Sequence, residues 1–182
     1  IGIVRFYNNK ALDANEVANN FTAVAGVDNV TLTATTTGDQ NYNDAVTLGS
    51  DLSASGDNIT FASTVALADN DLAVTTTGTT GQAQGVISGT GTVTKEGAGT
   101  FTMTATGNSY TGTTTVNAGT LAVDAGSITQ TDSLHIDAGI FQVLGDGDVN
   151  VVNAVTNGAG AGSLLTDDGQ MTVGNGGFSV DT

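Results

Sequence analysis

The chain contains no cysteine, no proline and no tryptophan, and only three of its 182 residues are Lys or Arg. Without cysteine there is no disulfide, no thiolate metal site and no cysteine nucleophile. Three cations against 18 Asp and Glu leave a formal net charge of -15. A nucleic-acid surface needs many cations facing phosphate, so that function class is excluded. Binding to anionic membranes is disfavoured by the same repulsion. A single His leaves almost nothing for histidine acid–base chemistry or a transition-metal site. No run approaches the roughly 20 apolar residues of a membrane helix, so no membrane insertion is expected. Position 1 is Ile and no charged leader precedes an apolar core, so the chain is expected to be processed or part of a longer polypeptide.

What is present is 26 Gly, abundant Thr, and 38% hydrophobic residues of which few are aromatic. Good helix formers such as Glu and Lys are scarce. This mixture favours many short strands joined by tight turns. The missing proline fits a structure in which nearly every strand is paired on both sides, where a lost N–H is costly.

Two regions differ, 1–27 and 28–182. In the first, Ile1 to Tyr7 reads as a strand and Asn8-Asn9-Lys10 as a turn. Asp13 and Glu16 then have capping-box spacing, with Leu12 and Val17 placed for a hydrophobic staple. Val17, Phe21 and Val24 share one helical face, and Gly26 is a stop. A short N-terminal strand and a capping helix are therefore expected. The stretch IGIVRFYNNKALDANEVANNF resembles the closing edge of laminin-G-like jelly-roll domains, which implies that such a domain precedes residue 1.

From residue 28 onward, strands of three to six residues alternate with Gly, Asn or Asp. Tyr42-Asn-Asp-Ala-Val46-Thr47-Leu48 has a copy at Phe61-Ala-Ser-Thr-Val65-Ala66-Leu67 and a match at Tyr110-Thr-Gly-Thr-Thr114-Thr115-Val116. Further strands are expected near Ile87, Leu134 to Ile136, Val149 to Val152 and Met171 to Val173. A spacing of about 19 to 26 residues is that of solenoid coils, none of which buries its apolar face alone. Roughly seven coils stacked about 4.8 Å apart make a rod of about 35 Å. The expected fold is all-β, a parallel β-helix with Asn and Thr stacked at its corners. An antiparallel sandwich completed by a donor strand is the alternative.

Within this region, GTGTVTKEGAGTFTMTATGNSYTGTTTVNAGTLAV (Gly89 to Val123) resembles the autotransporter-associated β-strand repeat. The marks are Gly91, Val93, Lys95, Gly97, Gly99-Thr100, Asn108, Tyr110-Thr111-Gly112, Thr114-Thr115-Val116 and Asn117 to Leu121. NYNDAVTLGSDL, NITFASTVAL and the C-terminal SLLTDDGQMTVGNGGFSVDT resemble filamentous-haemagglutinin-like exoproteins. The resemblance implies a right-handed parallel β-helix, secretion, and a place on or outside a Gram-negative-type cell surface. It implies no particular biochemical activity.

Three kinds of site are expected from the residues. An unpaired terminal coil templates addition of another chain, and unlike ends in contact produce a filament rather than a closed ring. The candidate self-assembly residues are Ile1, Ile3, Val4, Phe6, Val27 and Leu32 at one end, and Met171, Val173, Phe178 and Val180 at the other. The expected partners are identical copies, head to tail, and the alternative is an adhesin module contacting glycans or host surfaces. Asp146, Asp148 and Asn150 have the spacing that opens a calcium loop, but the Gly and Glu that complete one are absent. Calcium is thus the only cofactor candidate, and no other cofactor is expected. Asp146 with Asp148, and Asp167 with Asp168, are weighed as glycosidase pairs. His135, between Leu134 and Ile136, points to solvent with no partner nearby in sequence. No enzyme activity is expected.

Overall fold

The computed structural model describes residues 32–160 and 162–180. Short strands with alternating burial follow one another three to a turn, as the alternating sequence pattern requires. Coil 1 is β1 (Leu32–Thr35), β2 (Gln40–Tyr42) and β3 (Val46–Thr47). Coil 2 is β4 (Leu52–Gly56), β5 (Ile59–Phe61) and β6 (Val65–Ala66), and coil 3 is β7 (Leu72–Thr76), β8 (Gly81–Ala83) and β9 (Ile87–Gly89). Coil 4 comprises β10 (Val93–Glu96), β11 (Thr100–Met103) and β12 (Ser109–Tyr110). Coil 5 comprises β13 (Thr114–Val116), β14 (Thr120–Asp124) and β15 (Ser127–Thr131). Coil 6 is β16 (Leu134–Ile136), β17 (Ile140–Leu144) and β18 (Asp148–Val151). Coil 7 is β19 (Ala154–Asn157), β20 (Ser163–Asp167) and β21 (Gln170–Val173), after which β22 (Gly177–Val180) opens an eighth turn.

Each strand pairs with its equivalent one coil away. The first face is an eight-stranded sheet and the second a seven-stranded sheet. The third face is split into a four-stranded and a three-stranded sheet, with a single bridge, Asn108 to Ile128, across the split. Every pairing between these strands is parallel. That excludes the antiparallel sandwich and gives a parallel β-solenoid of about seven turns. The register column from Leu32 through Leu52, Leu72, Val93, Thr114, Leu134 and Val155 to Phe178 advances about 20 to 23 residues per coil, within the solenoid range. Among the described residues there is no helix; the expected capping helix and first strand lie outside them.

The core fills the tube between the three faces. Tyr42 stacks on Phe61 at 4.7 Å between ring centroids, and Phe61 meets Phe101 edge to face at 6.3 Å. Phe61 and Phe101 are two coils apart. They still touch because the intervening coil offers only Gly81 and Ala83 at the paired positions. A Cβ on Gly81 would come within 3.2 Å of Ile59 and Thr100 backbone atoms, so the space is already taken.

Corners carry the conformational load. The turn from the second to the third face has a left-handed residue in three successive coils: Ala125 (φ 52), Gly145 (φ 55) and Asp168 (φ 59). Side-chain stacking supports other corners. The Asp51 carboxylate accepts the Asp71 N–H, and the Asp71 carboxylate accepts the Thr92 N–H, each at 2.9 Å. Asp thus joins Asn and Thr in the corner stacks. The Asn58 amide donates to the Asp39 carboxylate at 2.8 Å.

One sequence equivalence is corrected. Tyr42 pairs with Phe61 and Val46 with Val65, so the nearer copy is a true neighbouring coil. Tyr110, however, lies on the third face and Thr114 on the first, whereas Tyr42 lies on the second and Val46 on the third. The alternating pattern recurs on every face, so a self-match in sequence finds a strand but not its side of the tube.

Candidate functional site

Two places concentrate unusual chemistry: the interior of coils 4 and 5, and the last coil.

The two inward columns of the first face are aliphatic through coils 2 and 3, with Leu52, Leu72, Ala54 and Val74 buried. In coils 4 and 5 both turn polar, at Lys95 and Thr114. Val93 points inward, so Lys95 two residues on shares its side of the strand. Lys95 is 1% exposed. Its ammonium donates to the backbone oxygens of Glu96, Gly97 (2.8 Å) and Ala118 (3.4 Å). Burial lowers its pKa to about 8, with the neighbouring Glu96 charge opposing, so the ammonium form predominates at pH 7. Glu96 points the other way and accepts from the Asn117 amide of the next coil at 2.6 Å. A Lys reads as surface in a sequence; the available signal was its i+2 spacing from Val93, beside the corner glycines Gly97 and Gly99.

Asn108 is fully buried at the split in the third face. Its Oδ1 accepts the Ile87 N–H at 2.8 Å, and its Nδ2 donates to Ala105 and Ser127 carbonyls at 2.9 Å each. One side chain therefore joins coils 3, 4 and 5 and replaces part of the missing strand ladder. Nearby, Tyr110 and Thr114 share a hydrogen bond at 2.7 Å, Thr114 and Thr131 share one at 2.9 Å, and Thr131 donates to the Gly112 carbonyl at 2.7 Å. Burial pushes the Tyr110 phenol pKa up, opposed by its Thr114 bond. At the other end of the stack the Tyr42 hydroxyl donates to Gln40 Oε1 at 2.9 Å, and burial raises its pKa to about 12.

The last coil has the opposite character. Phe178 pairs with core residue Val155 and occupies an inward column, yet is 64% exposed. Leu165 is 47% exposed on β20. Met171 and Val173 pair with the buried Val149 and Val151 and pack against the core from one side, half-buried. The core columns thus run on into a surface that nothing among the described residues covers. Of the expected assembly residues, Ile1, Ile3, Val4, Phe6 and Val27 lie outside the described residues. Leu32 and Val180 are placed as backbone in β1 and β22.

The remaining candidates sit on the outer surface. Asp146 is in an exposed turn; Asp148 and Asn150 share the outward side of β18, and the Asn150 amide donates to the Thr129 carbonyl at 3.1 Å. Asp167 and Asp168 are exposed at the end of β20. His135 is half-exposed, and its Nδ1 shares a hydrogen bond with Thr156 Oγ1 at 2.7 Å, so it has a partner one coil on. Among the described residues no three His, Cys, Asp or Glu side chains gather as a metal site, and no helix is long and apolar enough to cross a membrane.

Residues 93–123 match the family model described as the passenger-associated-transport-repeat. The matched segment begins two residues before Lys95 and includes Asn108, Tyr110, Thr114 and Asn117. No curated protein and no solved structure matches the chain.

Proposed function

We propose that the chain is a structural segment of an autotransporter-type passenger: a secreted, surface-exposed solenoid that acts by length and stiffness rather than by catalysis. The observation that carries this reading is the coincidence of a transport-repeat match at 93–123 with coils 4 and 5 of a parallel stack that is continuous on its first two faces. The repeat family implies a secreted or surface-exposed protein. The coil is read as right-handed, the hand favoured for parallel strand crossovers. The mechanism is backbone pairing between coils around a Val, Leu, Ile and aromatic core. The -15 charge keeps lateral faces apart, and cations act as diffuse screening rather than as a tailored calcium site. The test is export. The chain is joined to a heterologous translocation barrel and intact cells are treated with protease. A folded, externally cleaved product is expected, and retention inside the cell counts against the reading.

A second element is end-to-end association of copies, supported by the uncovered Phe178 at the end of an inward column. The last coil offers both apolar side chains and unpaired strand edges, and a contact between unlike ends repeats into a fibre. Sedimentation and electron microscopy across a concentration series test it. Fibres weakened by Phe178→Glu and favoured by added salt are expected; monodisperse monomers at every concentration remove it.

The adhesin alternative draws on a different observation. Asn41, Thr60, Gln82 and Thr102 form one outward column in register on the second face, ended at Ala122 in the next coil. Their polar groups repeat at about the 4.8 Å coil spacing, suited to an extended glycan. A glycan array that gives no binding rejects it.

A further inference from the structure

Lys95 supplies three N–H donors, and three backbone oxygens converge on it: those of Glu96, Gly97 and Ala118. Nothing else in the match between chain and core requires a charge there. The equivalent inward positions one coil before and one coil after are Val74 and Val116. The acceptors exist because the corner is built from an unusual backbone. Gly97 is left-handed at φ 71, and a Cβ there would lie 2.5 Å from the Thr76 carbonyl oxygen. Gly119, at φ 62 in the next coil, has the Gly97 and Gly99 carbonyl oxygens within 2.4 Å of where its Cβ would be. Two tight glycine corners stacked on each other crowd carbonyl oxygens together. Crowded carbonyl dipoles are what replaces the hydration shell of a small monovalent cation.

We propose that the stacked corners of coils 4 and 5 form a carbonyl cage for a monovalent cation, and that the Lys95 ammonium is its tethered occupant. The site's ligand class is therefore a small hydrogen-bonding cation of ammonium type. Because Ala118 belongs to the next coil, the occupant also keys coil 4 to coil 5. A coil stacked one residue out of register would leave the buried ammonium its own-coil acceptors Glu96 and Gly97 but take away Ala118, a cost no aliphatic residue in that column imposes.

The test is chemical rescue in the full chain. Lys95→Ala vacates the cage, and its unfolding midpoint should fall by about 5–10 °C. Ammonium chloride should then raise the midpoint of Lys95→Ala above that in tetramethylammonium chloride of equal ionic strength, while wild type shows no such preference. Lys95→Met, whose side chain fills the space, should lose stability and gain nothing from ammonium. Equal response of Lys95→Ala to the two salts overturns the proposal, as does a wild type that gains as much. If Lys95→Ala does not fold, the wild-type side-chain ammonium decides by nitrogen NMR. A Lys95 ammonium signal protected from solvent exchange is expected; exchange as fast as that of a free lysine overturns the cage.

Discussion

Coils 4 and 5 and the last coil are built on the same backbone plan but finished in opposite ways. In coils 4 and 5 the apolar columns of the first face are interrupted, but each buried polar side chain is answered: Lys95 by three carbonyls, Asn108 by one N–H and two carbonyls, Thr114 by Tyr110 and Thr131. In the last coil the apolar positions are present but uncovered, and Asn157 donates to the Gly162 carbonyl while its buried Oδ1 has no partner. Apolar columns alone make any coil stack on any other. Answered polar groups make one stacking register cheaper than the rest. The middle of the molecule is thus specified, and the end is merely compatible.

The contrast can be broken from its strong side first. Asn108→Ala should cost about 2–3 kcal/mol, because the buried Ile87 N–H loses its partner while the Ala105 and Ser127 carbonyls keep only the N–H groups of Ser127 and Asn108. Asn157→Ala, which removes one bond from a side chain already half-answered, should cost under about 1 kcal/mol. Denaturant melts of the two variants check this, and similar losses would erase the distinction. The apolar columns give the next contrast. Phe141→Ala should cost about 3–5 kcal/mol as a core truncation. Phe178→Ser should change monomer stability by less than about 0.5 kcal/mol, since most of that ring already faces solvent.

Lys95 adds a pH signature confined to the middle. Its folded pKa of about 8 lies below its ordinary 10.5, so between those values the unfolded chain holds a proton that the folded chain has shed. Its contribution to stability therefore rises with pH through that window. The raised phenols of Tyr42 and Tyr110 act oppositely near and above pH 10, where the unfolded tyrosines ionise first. Lys95→Met should flatten the rise between pH 8 and about 10 in stability measured by urea melts, and an unchanged slope would contradict the shift. The smallest effect belongs to the corners. Ala125→Gly relieves a left-handed alanine at φ 52 and Gly145→Ala creates one at φ 55, where its Cβ meets only ordinary contacts with Asp124 and Ala125. The two should shift stability by about 1 kcal/mol in opposite directions.

The comparison also marks what the sequence made legible. The coil spacing and the parallel stack follow from alternating apolar residues broken by Gly, Asn and Asp, because that pattern survives translation into burial residue by residue. Tyr42, Phe61 and Val65 sit where alternation puts them. The interior of coils 4 and 5 was legible only as a resemblance. Lys95 and Asn108 are polar, and polarity in a strand points outward until the geometry of a corner supplies partners. Face assignment was not legible either: Tyr110 to Val116 repeats the pattern of Tyr42 to Leu48 one face further round, since three near-equivalent faces share one alternation. The end-to-end contact was inferred from Met171, Val173, Phe178 and Val180 as apolar and terminal. The fold separates them into half-buried Met171 and Val173 and an outlying Phe178.

Hydrogen exchange of the native chain, followed peptide by peptide, reads the account's central claim directly. Protection in a stacked array reports each coil's own stability and that of its neighbours. Amides of β10 to β16 should exchange slowest and those of β20 to β22 fastest, with a step between. Uniform protection along the stack, or slowest exchange in β20 to β22, would contradict a solenoid locked in its middle and open at its last coil.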